Sequence, residues 1–314
     1  MRSIDLRKPP ALRPGASLAI LSPASAAKPD LVEEGIAHLH ALGYRTMLGA
    51  HALHADPLYY AGSAAGRAAD LHAAFADPSI DAILCTRGGW GSAELLPLLD
   101  SRLIRACPKP FIGYSDLTSL QLWMLKEADL VTFYGPMVAA DFAREGGVDA
   151  RSWQASLTAV SPWSLGPNDG LRTLCPGFAQ GPLTGGCLSI FAESLGTAFA
   201  PAPYPGILFL EDIGAKPYQW DRMLLHLRYA GFLDHATGIL FGDMEQTVPS
   251  DRMDLLEGAL RHRLSDFSGP IAIGLRCGHV NGANRTLPLG IEARLDCTDR
   301  QHPRLDFLEG AVTL

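Results

Sequence analysis

Short apolar runs alternate with amphipathic stretches through the first half of the chain, and that alternation sets the expected architecture. Ser17 to Ser22 reads as a strand and Asp30 to Leu42 as a helix. Asp70 to Phe75 belongs to a second helix, and Asp81-Ala82-Ile83-Leu84-Cys85-Thr86 forms a clear second strand. After the turn Arg87-Gly88-Gly89-Trp90-Gly91, the spacing of Leu95 and Leu98 predicts a helix. Phe111 and Ile112 give a further strand, Leu117, Leu120, Gln121 and Met124 continue at helical spacing, and Val131 to Tyr134 gives one more strand. Such alternation implies a parallel sheet covered on both faces, with ligands at the C-terminal ends of the strands. Both the Gly88 turn and Ser115 fall at such ends.

Between Arg151 and Gly186 the periodicity stops, broken by Pro162, Gly166, Pro167, Gly170, Pro176, Gly177, Gly181, Pro182, Gly185 and Gly186. The expectation is a linker over 151–180, dividing an N-terminal α/β domain (1–150) from a C-terminal domain (181–314). In the latter, a helix runs from about Leu188 to Leu195. A strand at Ile207 to Leu210 and a helix from Pro217 follow, with Trp220, Met223, Leu224 and Leu227 on its core face. Strands follow at Ile239 to Phe241, Ile271 to Leu275, Leu287 to Leu295 and Leu305 to Leu308, the later ones antiparallel by their close succession and alternation.

Length and charge narrow the function. A chain of 314 residues with 47% apolar composition can bury a full core. A net charge of -7 without a basic block gives no support for nucleic-acid or membrane-surface binding. The first ten residues lack the apolar core of a signal peptide, and no run approaches the length of a bilayer span, so a cytoplasmic protein is expected. Six cysteines, Cys85, Cys107, Cys175, Cys187, Cys277 and Cys297, contain no C-x-x-C pair and read as free thiols.

Three strand ends carry candidate chemistry. Ser115 sits on the strand-to-helix turn of Gly113-Tyr114-Ser115-Asp116, the setting of a nucleophile elbow and equally that of a helix N-cap. Glu211, followed by Asp212, closes the Ile207 strand, where a carboxylate can also be a capping or solvated residue. His279 lies in the polar loop Arg276-Cys277-Gly278-His279-Val280-Asn281-Gly282 after the Ile271 strand, where a histidine can be purely structural. Together they offer a hydroxyl, a carboxylate and an imidazole in the chain order of α/β-hydrolases. The chemistry needs those types: a serine hydroxyl must lose its proton to a base as it attacks, and a carboxylate fixes the tautomer of that base. The glycines after Arg87 bring a backbone N-H toward a reacting carbonyl, so the N-H groups of Gly89 and Asp116 are the candidate oxyanion donors. Arg87 is the candidate for a substrate carboxylate. The G-x-G-x-x-G order of a dinucleotide loop is missing, which argues against a nicotinamide enzyme. His38 and His40, and His51 and His54, lack the spacing and acidic partners of a zinc site. No cofactor and no metal is expected.

With these residues in hand the sequence resembles the LD-carboxypeptidase family, the S66 serine peptidases that include muramoyl-tetrapeptide carboxypeptidase and the microcin C immunity peptidase. The blocks that carry the resemblance are Ser22-Pro23, Arg87 to Gly91, Gly113 to Thr118, Gly135-Pro136-Met137, Leu188-Ser189 with Leu195-Gly196-Thr197, Phe209 to Asp212 with Pro217-Tyr218 and Asp221-Arg222, and Gly278-His279 with Asn284 to Gly290. The resemblance implies a Ser115-Glu211-His279 triad, with the serine on a flavodoxin-like N-terminal domain and the other two on a C-terminal α+β domain rich in strands. It further implies a cytoplasmic homodimer that, without metal, releases a terminal D-alanine from murein tetrapeptides during cell-wall recycling. The alternatives are a microcin C-type immunity peptidase acting on aminoacyl-sulfamoyl adenylates and a non-catalytic muropeptide-binding protein. Three positions depart from the family pattern and bear on substrate preference: Cys187 for Asn before Leu-Ser, Tyr134 for His before Gly-Pro, and Ala215-Lys216 for an acidic pair.

Overall fold

The computed structural model describes residues 6–244, 247–248 and 252–314. The chain divides into two compact units. The first comprises Met1–Val160, Gly282–Gly290 and Gly310–Leu314; the second comprises Ser161–Asn281 and Ile291–Glu309.

In the first unit the chain runs β1 (Ser17–Leu21), α1 (Pro29–Ala41), β2 (Arg45–Leu48), α2 (Ala64–Ala76), β3 (Ala82–Cys85), α3 (Ser101–Ala106), β4 (Phe111–Gly113), α4 (Thr118–Glu127), β5 (Thr132–Tyr134) and α5 (Ala150–Leu157). The second unit continues with β6 (Trp163–Leu165), β7 (Arg172–Cys175), β8 (Phe178–Cys187), α6 (Leu188–Ser194), β9 (Gly206–Glu211), α7 (Pro217–Tyr229), α8 (Phe232–His235), β10 (Ala236–Gly242), α9 (Met253–Arg263) and β11 (Ile271–Leu275). The chain then re-enters the first unit as β12 (Leu287–Leu289) and ends the second with β13 (Glu292–Asp296) and β14 (Arg304–Phe307).

The first sheet has the order β12-β5-β4-β3-β1-β2. Five strands are parallel, and β12 pairs antiparallel on the β5 edge. The parallel part follows the flavodoxin-like order, whose direction reverses between β1 and β3, the place where ligands bind in such sheets. β3 and β4 are buried along their whole length, as strands covered on both faces must be. The second sheet has the order β6-β14-β13-β8-β9-β10-β11-β7. Its centre, β8 to β11, is parallel, and both flanks are antiparallel. Here β9 is buried at every residue, which brings its last side chain, Glu211, into the core.

Three expectations need correction. The stretch 151–180 holds regular structure, all but the first residue of α5, then β6, β7 and the start of β8, and the boundary between the two compact units falls inside it, after Val160. The glycines just beyond it serve close packing inside β8: a Cβ on Gly185 would strike the carbonyl of Phe209 on the neighbouring β9. The element after the Gly88 turn is a 3-10 helix, Ser92–Leu98, with Pro97 inside it, whose ring would clash with the carbonyl four residues back in an α-helix. The run from Leu287 to Leu295 is two strands in two sheets, β12 and β13, parted at Gly290. Of the four expected core residues on α7, Trp220, Leu224 and Leu227 are buried, whereas Met223 is half-buried. No described helix is long and apolar enough to cross a membrane, and the six cysteines are free.

Candidate active site

In the first unit the strand-to-helix junction after β4 carries strained backbone. Tyr114 is extended, and Ser115 then adopts φ 66, one of two described non-glycine residues at positive φ. Such a conformation costs energy and persists only when its surroundings enforce it. Here they do. The Ser115 N-H donates to the Tyr134 hydroxyl at 3.2 Å, and the Thr118 hydroxyl donates to the Ser115 carbonyl at 2.7 Å. Asp116, wholly buried, accepts the Ser92 N-H at 2.8 Å on Oδ2, while the Ser92 hydroxyl donates to the Asp116 carbonyl at 2.6 Å. Gln121 secures the strand ends from below, donating to the Gly113 and Phe133 carbonyls at 2.9 Å each.

The Gly88-Gly89 turn lies against this junction. A Cβ on Gly88 would stand 2.8 Å from the Ser115 Cβ and 3.1 Å from both the Ser115 Oγ and the Asp116 nitrogen, so only glycine leaves the serine room. Gly89 has φ +102, and its side is closed by Ser25. Ser25 fixes the turn by accepting the Trp90 N-H at 3.0 Å and donating its own N-H to the Gly88 carbonyl at 3.3 Å. Arg87 is exposed, with its guanidinium 3.5 Å from the Ala26 carbonyl.

Sequence reasoning missed Arg67. This arginine, 2% exposed in the first turn of α2, donates to the Pro23 carbonyl at 2.8 Å, the Gly91 carbonyl at 2.7 Å and the Gly62 carbonyl at 3.2 Å, and pairs with Glu94 at 2.5 Å. It thereby joins the loop after β1 to the end of the glycine turn after β3. The one signal for it is a charged residue set among Gly66, Ala68, Leu71 and other residues of the buried helix face.

In the second unit β9 ends on Glu211 and β11 leads into the Gly278-His279 loop. Glu211 is fully buried and accepts two N-H groups from His279: the backbone N-H on Oε2 at 3.0 Å, and the ring Nδ1 at 2.9 Å. A carboxylate can only accept, so Nδ1 carries a proton; in the neutral ring this leaves the lone pair on Nε2, the tautomer a general base requires. Gly278 makes this approach possible. It has φ +95, and a Cβ there would fall on the Glu211 carboxyl group. Asp212 is tied down beside it, accepting the Ser189 N-H at 2.7 Å and the Ile213 N-H at 2.8 Å. Burial, together with the neighbouring Glu211 charge, holds its carboxyl above the usual range.

The three family departures take definite places. Tyr134, wholly buried, supplies the hydroxyl that receives the Ser115 N-H. Cys187 pairs with Glu211 in the β8–β9 register; burial, and then the charges of Glu211 and Asp212, push its thiol well up. Ala215 is buried and faces a cavity beside Asp212. Among the described residues, no group of three or more His, Cys, Asp or Glu side chains is arranged to hold a metal ion.

The family model of the LD-carboxypeptidase N-terminal domain matches residues 18–135, and that of the LD-carboxypeptidase C-terminal domain matches residues 180–295. A probable murein peptide carboxypeptidase of Bacillus subtilis is 34% identical over 297 residues, covering 93% of this chain and 92% of the relative. Among solved structures, an MccF-like protein from Bacillus anthracis superposes with a TM-score of 0.88 at 26% identity, covering 96% of this chain and 99% of that one. A muramoyltetrapeptide carboxypeptidase from Oxalobacter formigenes superposes with a TM-score of 0.83 at 28% identity, covering 95% and 100%.

Proposed function

We propose that this chain, which belongs to the LD-carboxypeptidase family, is a serine carboxypeptidase that hydrolyses an L-D peptide bond and releases the terminal D-alanine of murein tetrapeptides. The observation that carries the reading is Ser115, a non-glycine residue held at φ 66 where a buried strand turns into a helix. Strain of that kind at a strand-to-helix turn is the mark of an exposed nucleophile. The Glu211–His279 pair supports it by supplying an oriented base. The names of the Bacillus subtilis relative and of the Oxalobacter formigenes structure support a murein peptide as substrate.

In this reading Ser115 Oγ attacks the scissile carbonyl carbon while His279 Nε2 takes its proton. The N-H groups of Gly89 and Asp116 receive the oxyanion that forms. As the tetrahedral species collapses, the C-N bond breaks, His279 returns the proton to the departing amine, and D-alanine leaves. Water then repeats the sequence on the acyl-enzyme, with Glu211 holding the imidazole throughout. No step calls for a metal. Arg87 is the exposed cation available to the substrate's terminal carboxylate. The reading includes a cytoplasmic homodimer, as the resemblance implies.

The test is kinetic. Ser115→Ala, His279→Ala and Glu211→Gln should each lower kcat by about 10⁴-fold or more, and the double variants should be no worse than the weakest single one, because the three groups act as a unit. Independent, multiplying losses would refute a triad.

A further inference from the structure

Two buried cations stand at the two ends of α2, and only one of them serves the helix. Lys109 donates from Nζ to the Ala74 carbonyl at 2.7 Å and to the carbonyl of Asp77, the residue that caps the C-terminal end. Arg67 stands in the first turn and sends its guanidinium away from the helix, to the carbonyls of Gly62, Pro23 and Gly91 and to Glu94. A helix dipole favours a cation at its C-terminal end and opposes one in its first turn. Lys109 follows that rule and Arg67 breaks it, so what Arg67 contributes lies outside α2.

What lies outside is the glycine turn. Arg67 Nη1 donates to the Gly91 carbonyl at 2.7 Å and to the Pro23 carbonyl at 2.8 Å, so a single nitrogen bridges the loops that follow the neighbouring strands β3 and β1. Gly91 has φ +122, and a Cβ there would stand 2.6 Å from the Tyr60 ring and 2.9 Å from Nη1. The guanidinium carbon in turn lies 5.1 Å from the centroid of that ring. Tyr60 forms an antiparallel bridge with Ser25, whose hydroxyl accepts the Trp90 N-H at 3.0 Å. The turn is therefore held at Gly91 by Arg67 and Tyr60, at Trp90 by Ser25, and at Gly88 by its contact with Ser115. Gly89 lies between these fixed points.

We propose that Arg67 is a positioning residue for the hydrolysis: by holding Gly91 it fixes the turn where the Gly89 N-H meets the oxyanion formed as Ser115 attacks. The inference rests on the carboxypeptidase reading. It also accounts for the residue type, since lysine would keep the charge but lose the planar fork that reaches two loops and Glu94 at once.

The experiment sets Arg67→Gln and Arg67→Lys beside Lys109→Met, which removes the buried cation at the other end of the same helix. Steady-state kinetics on L-Ala-D-Glu-meso-diaminopimelate-D-Ala are read together with thermal unfolding. Arg67→Gln and Lys109→Met should both lower Tm. Arg67→Gln alone should also lower kcat, by about a hundredfold as for a lost oxyanion donor, with KM changed by less than about threefold. Arg67→Lys should regain part of the Tm and little of the kcat, and it carries the same test where Arg67→Gln does not fold. Wild-type kcat in the Arg67 variants overturns the proposal, and so does a kcat loss in Lys109→Met that matches theirs for the same fall in Tm. Should the wild type hydrolyse no tetrapeptide, the carboxypeptidase reading fails, and amide hydrogen exchange of the peptide spanning Arg87 to Gly91 decides the clamp by itself. Faster exchange confined to the Arg67 variants supports it, and any other pattern overturns it.

Discussion

The backbone N-H of Ser115 donates to the side-chain hydroxyl of Tyr134 at 3.2 Å, from the end of β4 to the end of the adjacent β5. Ser115 lies past the end of β4 at Gly113, and the tyrosine hydroxyl gives its N-H an acceptor there. The strained conformation of the proposed nucleophile therefore depends on a side chain nineteen residues away.

Tyr134→Phe removes that acceptor and keeps the ring. Leaving a partly buried N-H unmet costs about 1–3 kcal/mol. Thermal unfolding should show a modest drop in Tm, while kcat falls by roughly tenfold or more because the serine is no longer held in place, with KM little changed. A variant with wild-type kcat would show that the elbow is fixed by other contacts.

Gly278→Ala tests the second half of the site. The new methyl group would coincide with the Glu211 carboxyl at a residue with φ +95. Strain from the backbone alone is about 1 kcal/mol, and the displaced carboxylate adds the loss of an oriented base. Activity should fall at least a hundredfold in a protein that still unfolds cooperatively, as read by calorimetry and initial rates together. Retained activity would mean that His279 does not need Glu211 where it stands.

Much of the fold was legible because its strands are unbroken apolar runs: Ile271 to Leu275 is β11 to the residue, and Ile207 to Leu210 lies within β9. Ser115, Glu211 and His279 stood out for the same reason, each being a polar residue directly after such a run or in the loop that follows it. What escaped the sequence was tertiary in origin. β2 shows no alternation because it is a sheet edge with Met47 and Leu48 half exposed. The glycines of β8 look like a linker until β9 is laid against them. Neither the Tyr134 hydroxyl nor the Arg67 clamp carries a local signal, since their partners lie on other elements. The boundary between the two compact units falls after Val160, inside the stretch 151–180, with α5 before it and β6 after it, whereas no local pattern foretells that Leu287–Leu289 returns to the first sheet.

The thiols should separate by reactivity. Burial pushes Cys85 up, burial with the Glu211 and Asp212 charges pushes Cys187 up, and Cys297 is pushed up to about 11, mainly by burial. A thiol with a raised pKa stays protonated, and therefore unreactive, at any pH below that value. Iodoacetamide at about pH 8.5 should label the half-buried Cys107 and Cys175 first and reach Cys85, Cys187 and Cys297 only after denaturation. Peptide mass spectrometry reads the order, and rapid labelling of Cys187 in the native protein would contradict it.

Asp141 gives a pH test of stability. It accepts the Met137 N-H at 2.9 Å and pairs with Arg144 at 3.0 Å, yet burial outweighs both and holds its carboxyl above the usual range. The native state thus binds this proton more tightly than the unfolded chain, so the group's contribution is full below the ordinary carboxylate pKa and is lost as pH rises through the raised native value. Asparagine cannot titrate. The Tm deficit of Asp141→Asn relative to the wild type should therefore be larger at about pH 4 than at about pH 7.5. An equal or reversed difference would contradict the direction of the shift.

The central claim is that Ser115 hydrolyses an L-D peptide bond, and it is tested most directly by mass-spectrometric detection of D-alanine released from L-Ala-D-Glu-meso-diaminopimelate-D-Ala in the presence of EDTA. Wild-type protein should release D-alanine and folded Ser115→Ala should release none. Release by both would place the chemistry elsewhere. Release by neither would contradict the murein assignment and turn attention to sulfamoyl-adenylate peptides or to a muropeptide-binding role.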